Sequence, residues 1–112
     1  MKMIEAIIRP ERLAAVRGAL EELGYPGMTL SEVRGYGKQG GQIQQWRGVK
    51  YEVEFQPKLK VEIVVIDGDA PKMVQAITRA ARTGETGDGK IFVLPVESAV
   101  RIRTGDRDDN AI

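Results

Sequence analysis

Apolar and polar positions alternate at the start of the chain and again near its middle. Over residues 1–9, Ile4, Ala6 and Ile8 share one face, and Met3 and Ile7 lie on the other. Apolar residues on both faces predict a central strand. Pro10 and Glu11 then open a helix, where an early proline does no harm. Leu13, Val16, Leu20 and Leu23 follow at helical spacing, and Gly24 ends the run. A turn at Tyr25, Pro26 and Gly27 leads to a less regular second strand over residues 28–36. Residues 58–66 form the clearest strand, with Leu59, Val61, Ile63 and Val65 on one face and Lys58, Lys60 and Glu62 on the other. A second helix is predicted over residues 70–82. Asp69 would cap it, Pro71 falls in its first turn, and Met73, Val74, Ile77 and Ala81 form its buried stripe. Residues 91–95 are a short fourth strand. Residues 99–103 read as a fifth strand or an edge extension.

The order strand, helix, strand, strand, helix, strand predicts one α+β domain over residues 1–112. Its plan is ferredoxin-like βαββαβ, an antiparallel sheet with both helices on one face. The exception to compactness is residues 37–56, rich in Gly and Gln and weakly periodic. Loops beyond about 12–15 residues are uncommon in compact domains and usually functional or disordered. This one carries Trp46, Arg47 and Tyr51, residue types that anchor partners, so it is expected to be a long flexible effector loop. The acidic residues 106–109 read as a solvated tail.

Composition narrows the chemistry. There is no Cys and no His among 112 residues. That removes disulfides, thiol nucleophiles, imidazole bases and the usual zinc sites. The formal charge of +1 is too balanced to predict a nucleic-acid partner. The opening MKMIEAIIRP lacks a signal-peptide pattern, since Glu5 and Arg9 interrupt it. No stretch approaches the roughly 18 apolar residues of a membrane span. A cytoplasmic chain is expected, without direct membrane insertion.

Residues 83–93 read TGETGDGKIFV. Gly84, Gly89 and Lys90 have P-loop spacing, but Ile91 replaces the magnesium-binding Ser or Thr, and a strand follows instead of a helix. The stretch Gly87, Asp88, Gly89 still lets backbone N–H groups approach an anion, with Lys90 adding charge. A plain turn explains it equally well. Arg101 and Arg103 would point the same way from an extended segment and suit a phosphate chain; a charge-protected edge strand explains the same pair. Arg82 at a helix end suits either the helix dipole or a phosphate.

These residues together make the chain resemble the PII signal-transduction proteins, which report nitrogen and energy status. The likeness runs from MKMIEAIIRP to RIRTG. It is strongest in TGETGDGKIFV, with support from GMTLSEVRGYGKQGG and QPKLKVEIVV; WRGVKY matches a further signature in part. The resemblance implies a homotrimer with three sites for ATP or ADP in clefts between subunits. It implies that Gly87, Asp88, Gly89 and Lys90 cradle phosphates, joined by Gly37, Lys38, Arg101 and Arg103. Thr29, Gly35, Glu62 and Val64 would line the adenine and ribose. Gln39 would help ligate Mg2+ beside the ATP phosphates. Lys58 would pair with a carboxylate of 2-oxoglutarate, with Gln39 and Gly41 completing that site. The effector would then bind together with ATP and draw the loop in, while ADP would free it.

The partners implied are nitrogen-regulatory enzymes or an ammonium channel, which could recruit the protein to a membrane. Arg47 matches a residue that enters the channel mouth, and Tyr51 a nucleotidylation site. Lys50 stands where many members have an acid, and Val49 lacks the hydroxyl that some members phosphorylate. Two other classes compete. One is a small ATP-hydrolysing or acylphosphatase-like enzyme, which the missing His and hydroxyl disfavour. The other is an RNA-binding module, which would need more sheet aromatics than Phe92.

Overall fold

The computed structural model describes the backbone of residues 1–25, 27–36, 42–46, 49–53 and 55–112, and no side chain in 37–54. Strand β1 (Lys2–Ile8) leads through a 3-10 turn (Pro10–Arg12) into helix α1 (Leu13–Glu22). Strand β2 (Thr29–Gly35) is followed by β3 (Gln42–Trp46), β4 (Val49–Val53) and the long β5 (Gln56–Val65). Helix α2 (Ala70–Ala81) and strand β6 (Lys90–Pro95) complete the pattern. The main sheet is antiparallel, in the order β2-β5-β1-β6. This is the ferredoxin-like α+β arrangement predicted, with β1 in the interior. Strands β5 and β6 begin at Gln56 and Lys90, slightly earlier than periodicity suggests.

Strand register explains which face is buried. Ile4 lies opposite Ile63, Ala6 opposite Val61, and Ile8 opposite Leu59. That face packs against Val16 and Leu20 of α1 and Met73, Ile77 and Ala81 of α2. No polar or charged residue is buried there among the described residues, so hydrophobic burial alone holds this layer. The opposite face carries Met3, Glu5, Ile7, Lys60, Glu62, Val64, Phe92 and Leu94 and has no helix over it. Glu5 and Lys60 form an ion pair on it at 3.3 Å.

Helix α1 ends as predicted. Gly24 takes φ 85°, and Tyr25 N donates to Leu20 O at 3.0 Å. Asp69 does not cap α2 with its side chain. Its carboxylate instead accepts from the Tyr25 hydroxyl and lies 3.1 Å from Lys72 Nζ. The Tyr25 hydrogen bond, then Lys72, holds Asp69 below the usual carboxylate range. Burial and the neighbouring Asp69 push Tyr25 up.

The backbone adds detail to one segment and corrects another. Within residues 37–56, β3 and β4 pair as an antiparallel hairpin, with Trp46 opposite Val49 and Gln44 opposite Tyr51. Along β4, Val49, Tyr51 and Val53 alternate with Lys50 and Glu52, as suits a strand. Residues 99–103 form no strand. Val100 makes a single bridge to Arg107, and Gly105, at φ 75°, turns the chain back so that its N donates to Arg101 O at 2.8 Å. Arg101 therefore opens a turn that contains Arg103, and the two do not alternate along an extended strand. Residues 106–109, expected as a solvated tail, are all exposed, and a 3-10 turn (Asp108–Ala111) overlaps their end. Among the described residues no helix is long and apolar enough to cross a membrane.

Candidate functional site

The end of α2 and the start of β6 are joined by residues 82–89, and this connection is built around one carboxylate. Asp88 Oδ2 accepts from the backbone N of Thr83 and of Gly84, each at 2.9 Å. The Thr83 hydroxyl donates to Asp88 Oδ1, and Arg9 Nε donates to the same oxygen at 3.0 Å. The Thr83 hydroxyl first, then the Arg9 guanidinium, hold the Asp88 carboxyl far below the ordinary carboxylate range. Asp88 is thus turned into its own loop. Its carboxylate shapes that loop.

Glycines set the loop's path. Gly84, Gly87 and Gly89 all have positive φ. At Gly89 the requirement is absolute. A Cβ there would lie 1.7 Å from Ile7 O, and φ is 101°. The backbone before Lys90 is therefore flush against β1, where Ile7 pairs with Lys90.

Two cations converge on Gly87. Arg9 Nη2 donates to Thr86 O at 2.6 Å, and Lys58 Nζ donates to Gly87 O. A Cβ on Gly87 would stand 3.4 Å from both Arg9 Nη2 and Lys58 Nζ. Burial first and the Arg9 charge second push the Lys58 amine below the ordinary lysine value. The Lys58 stem also covers Gly35, where a Cβ would meet Lys58 Cγ at 3.3 Å. Gly35, Lys58, Gly87, Asp88 and Gly89 are thus brought together; Gly35, expected with the adenine and ribose residues, lies against Lys58. Lys90 and Arg82 join Asp88 and Gly89 along a groove between α2 and β6. The cluster holds two cations, Arg9 and Lys58, and one carboxylate, and the net positive charge suits an anion.

The remaining site residues lie elsewhere. Thr29 is opposite Glu62. With Val64, Tyr25, Met28 and Ile112 they line a separate groove. Glu62 is four residues along β5 from Lys58, about 13 Å at the usual strand rise. Arg101 and Arg103 are exposed on the 99–107 turn. Gly37, Lys38, Gln39, Gly41 and Arg47 lie outside the described residues. Trp46 and Tyr51 are placed by backbone only, on β3 and β4.

Sequence reasoning overlooked Arg9 and Arg12. Both flank Pro10 in the stretch Arg9-Pro10-Glu11-Arg12, and both reach residues more than 60 positions away. The available signal was their spacing. In a 3-10 turn, residues three apart project the same way.

The family description Nitrogen regulatory protein P-II matches residues 1–106. A Nitrogen regulatory protein P-II of Synechocystis sp. is 57% identical over 112 residues, covering all of both chains. Proteins of the same name from Klebsiella oxytoca and Pasteurella multocida are 53% and 51% identical, again over the whole of both chains. These relatives are named as regulators, not as enzymes. On this match over residues 1–106 and the full-length identity to these relatives, the chain belongs to the P-II family of nitrogen-regulatory signalling proteins.

Proposed function

We propose that this protein is a trimeric sensor in which ATP and ADP compete for one site per subunit, and 2-oxoglutarate joins ATP. The observation that carries the reading is the convergence of Arg9 and Lys58 on Gly87, beside a glycine turn pressed against β1. Backbone N–H groups of the turn and Lys90 bind the phosphates. Lys58 and Arg9 supply the positive charge that a dicarboxylate needs. Magnesium, when bound, supplies a cation shared by the phosphates and the 2-oxo acid, with Gln39 as its protein ligand.

The division of the candidate residues into separate groups supports assembly from several subunits. Thr29, Glu62 and Val64 form one group, and Arg101 and Arg103 another, both apart from the Gly87 turn. A neighbouring copy would bring one group to the other's turn. The open sheet face, with Met3, Ile7, Val64, Phe92 and Leu94, offers an apolar surface for such packing. The segment 37–56, through Trp46, Arg47 and Tyr51, carries the signal to nitrogen-regulatory enzymes or an ammonium channel from the cytoplasm.

Calorimetric titration with ADP, with ATP, and with 2-oxoglutarate in the presence and absence of magnesium and ATP tests the sensing. Saturable competition between nucleotides, and effector binding only with both magnesium and ATP, is the expected result. Equal effector affinity without nucleotide would overturn the coupling. A monomer mass by light scattering would overturn the trimer.

A further inference from the structure

We infer that Arg12 is a positioning residue for the nucleotide turn, acting with Arg9 as a two-point brace; this rests on the nucleotide reading above. Arg12 donates to Ala80 O from Nε at 3.0 Å and from Nη2 at 2.7 Å. Ala80 is in the last turn of α2, where backbone carbonyls lack helical partners and the dipole favours a cation. Arg9 holds the far side of the same connection through Thr86 O and Asp88. The two arginines therefore grip both ends of residues 80–88 from one short platform.

The platform is rigid for a stated reason. It follows β1 directly, and Pro10 fixes its own φ. The 3-10 turn Pro10–Arg12 closes with Arg12 N donating to Arg9 O at 3.0 Å. With three residues per turn, Arg9 and Arg12 stack on one side. Just upstream, Ile7 O forms the wall against which Gly89 lies. Residues 7–12 thus touch the connection at its beginning, middle and end. A planar guanidinium can place two N–H groups on one carbonyl, whereas lysine offers a single point charge. Loosening Ala80 releases the end of α2 from which Thr83 and Gly84 leave to meet Asp88. The turn then spends less time in the shape that binds phosphate.

Arg12→Ala and Arg12→Lys, with Arg17→Ala as an exposed control, test the brace in the full chain. The readouts are ADP affinity by calorimetry and amide hydrogen exchange. Arg12→Ala is expected to weaken ADP roughly three- to tenfold. The Thr83 and Gly84 amides should exchange faster, while the amides of β1 and β5 keep their protection. Arg12→Lys should regain global stability but only part of the affinity. A folded Arg12→Ala protein with wild-type ADP affinity and unchanged exchange at Thr83 and Gly84 would overturn the assignment. If the wild-type protein binds no ADP, the nucleotide reading fails. Exchange at Thr83 and Gly84 then decides the brace alone: faster upholds it, unchanged overturns it. If Arg12→Ala does not fold, the same exchange measurement on Arg12→Lys decides in the same way.

Discussion

Residues 83–90 and residues 99–108 both carry glycine turns and candidate phosphate ligands, yet they are built in opposite ways. The first is tied to the rest of the chain at many points. Arg9, Lys58 and the Ile7 carbonyl all press on it, and Asp88 spends its carboxylate inside it. The second is tied mostly to itself. Arg101 N donates to Asp106 O at 2.9 Å, and Asp108 N to Ala99 O at 2.9 Å. Its side chains face outward, and Ile102 is 99% exposed. One turn is finished by its own subunit. The other has a defined backbone but presents Arg101, Ile102 and Arg103 to whatever lies beyond. A preorganised turn and an outward-facing one are what the intersubunit site proposed above would need.

The largest effect should come from Gly89→Ala. The new methyl would collide with Ile7 O, and φ is already in the left-handed region. A loss of at least about 3 kcal/mol is expected in urea denaturation. A loss below about 1 kcal/mol would mean that the turn is not pinned to β1. Next comes Asp88→Asn, which removes the Arg9 ion pair and weakens the three other hydrogen bonds that Asp88 accepts, from Thr83 N, the Thr83 hydroxyl and Gly84 N. It should lower the melting temperature and speed exchange at the Thr83 and Gly84 amides. The pH dependence follows from the depressed folded-state pKa of Asp88. Its contribution is complete above the unfolded carboxylate pKa of about 4 and is lost as pH falls through the lower folded value. Wild-type stability should therefore fall more steeply than that of Asp88→Asn as the solution is acidified below about pH 4. Parallel melting curves for the two proteins would show that Asp88 is not the keystone of the turn.

Much of this contrast was readable from sequence, but unevenly. Strands β1 and β5 and both helices announce themselves because each buries one regular face, and periodicity records that directly. The glycine turn was legible as a turn, since Gly87 and Gly89 flank Asp88. What Asp88 does was not legible, because an acid between two glycines gives no local sign that it points inward. Arg9 and Arg12 were missed because their partners are distant in sequence. Residues 99–103 misled because Val100 and Ile102 alternate with Arg101 and Arg103 like a strand. Thr104, Gly105 and Asp106 are turn formers and outweighed that alternation. Strand β4 was legible in the alternation of Val49, Tyr51 and Val53 with Lys50 and Glu52, but the Gly- and Gln-rich run before it drew the whole segment toward a loop reading.

The smaller effects sharpen the comparison from the other turn. Gly105→Ala has open space for a Cβ but must adopt φ 75°. It should cost about 1 kcal/mol, well below Gly89→Ala. The smallest effect on stability should come from Ile102→Ser. This side chain is almost fully exposed and has no place in the buried core, so the isolated subunit should lose no more than about 0.5 kcal/mol. If the outward face of this turn meets a neighbouring copy, the same change should show itself elsewhere. Light scattering on dilution should reveal earlier dissociation, and ADP affinity should fall in step with the loss of assembly, because Arg101 and Arg103 leave with the turn. Asp88→Asn should behave in the reverse way, weakening the turn within each subunit before assembly is affected. If Ile102→Ser lowered the urea midpoint as much as Asp88→Asn and left assembly and ADP binding untouched, the two turns would not differ in the way described, and the second would belong to its own subunit's core.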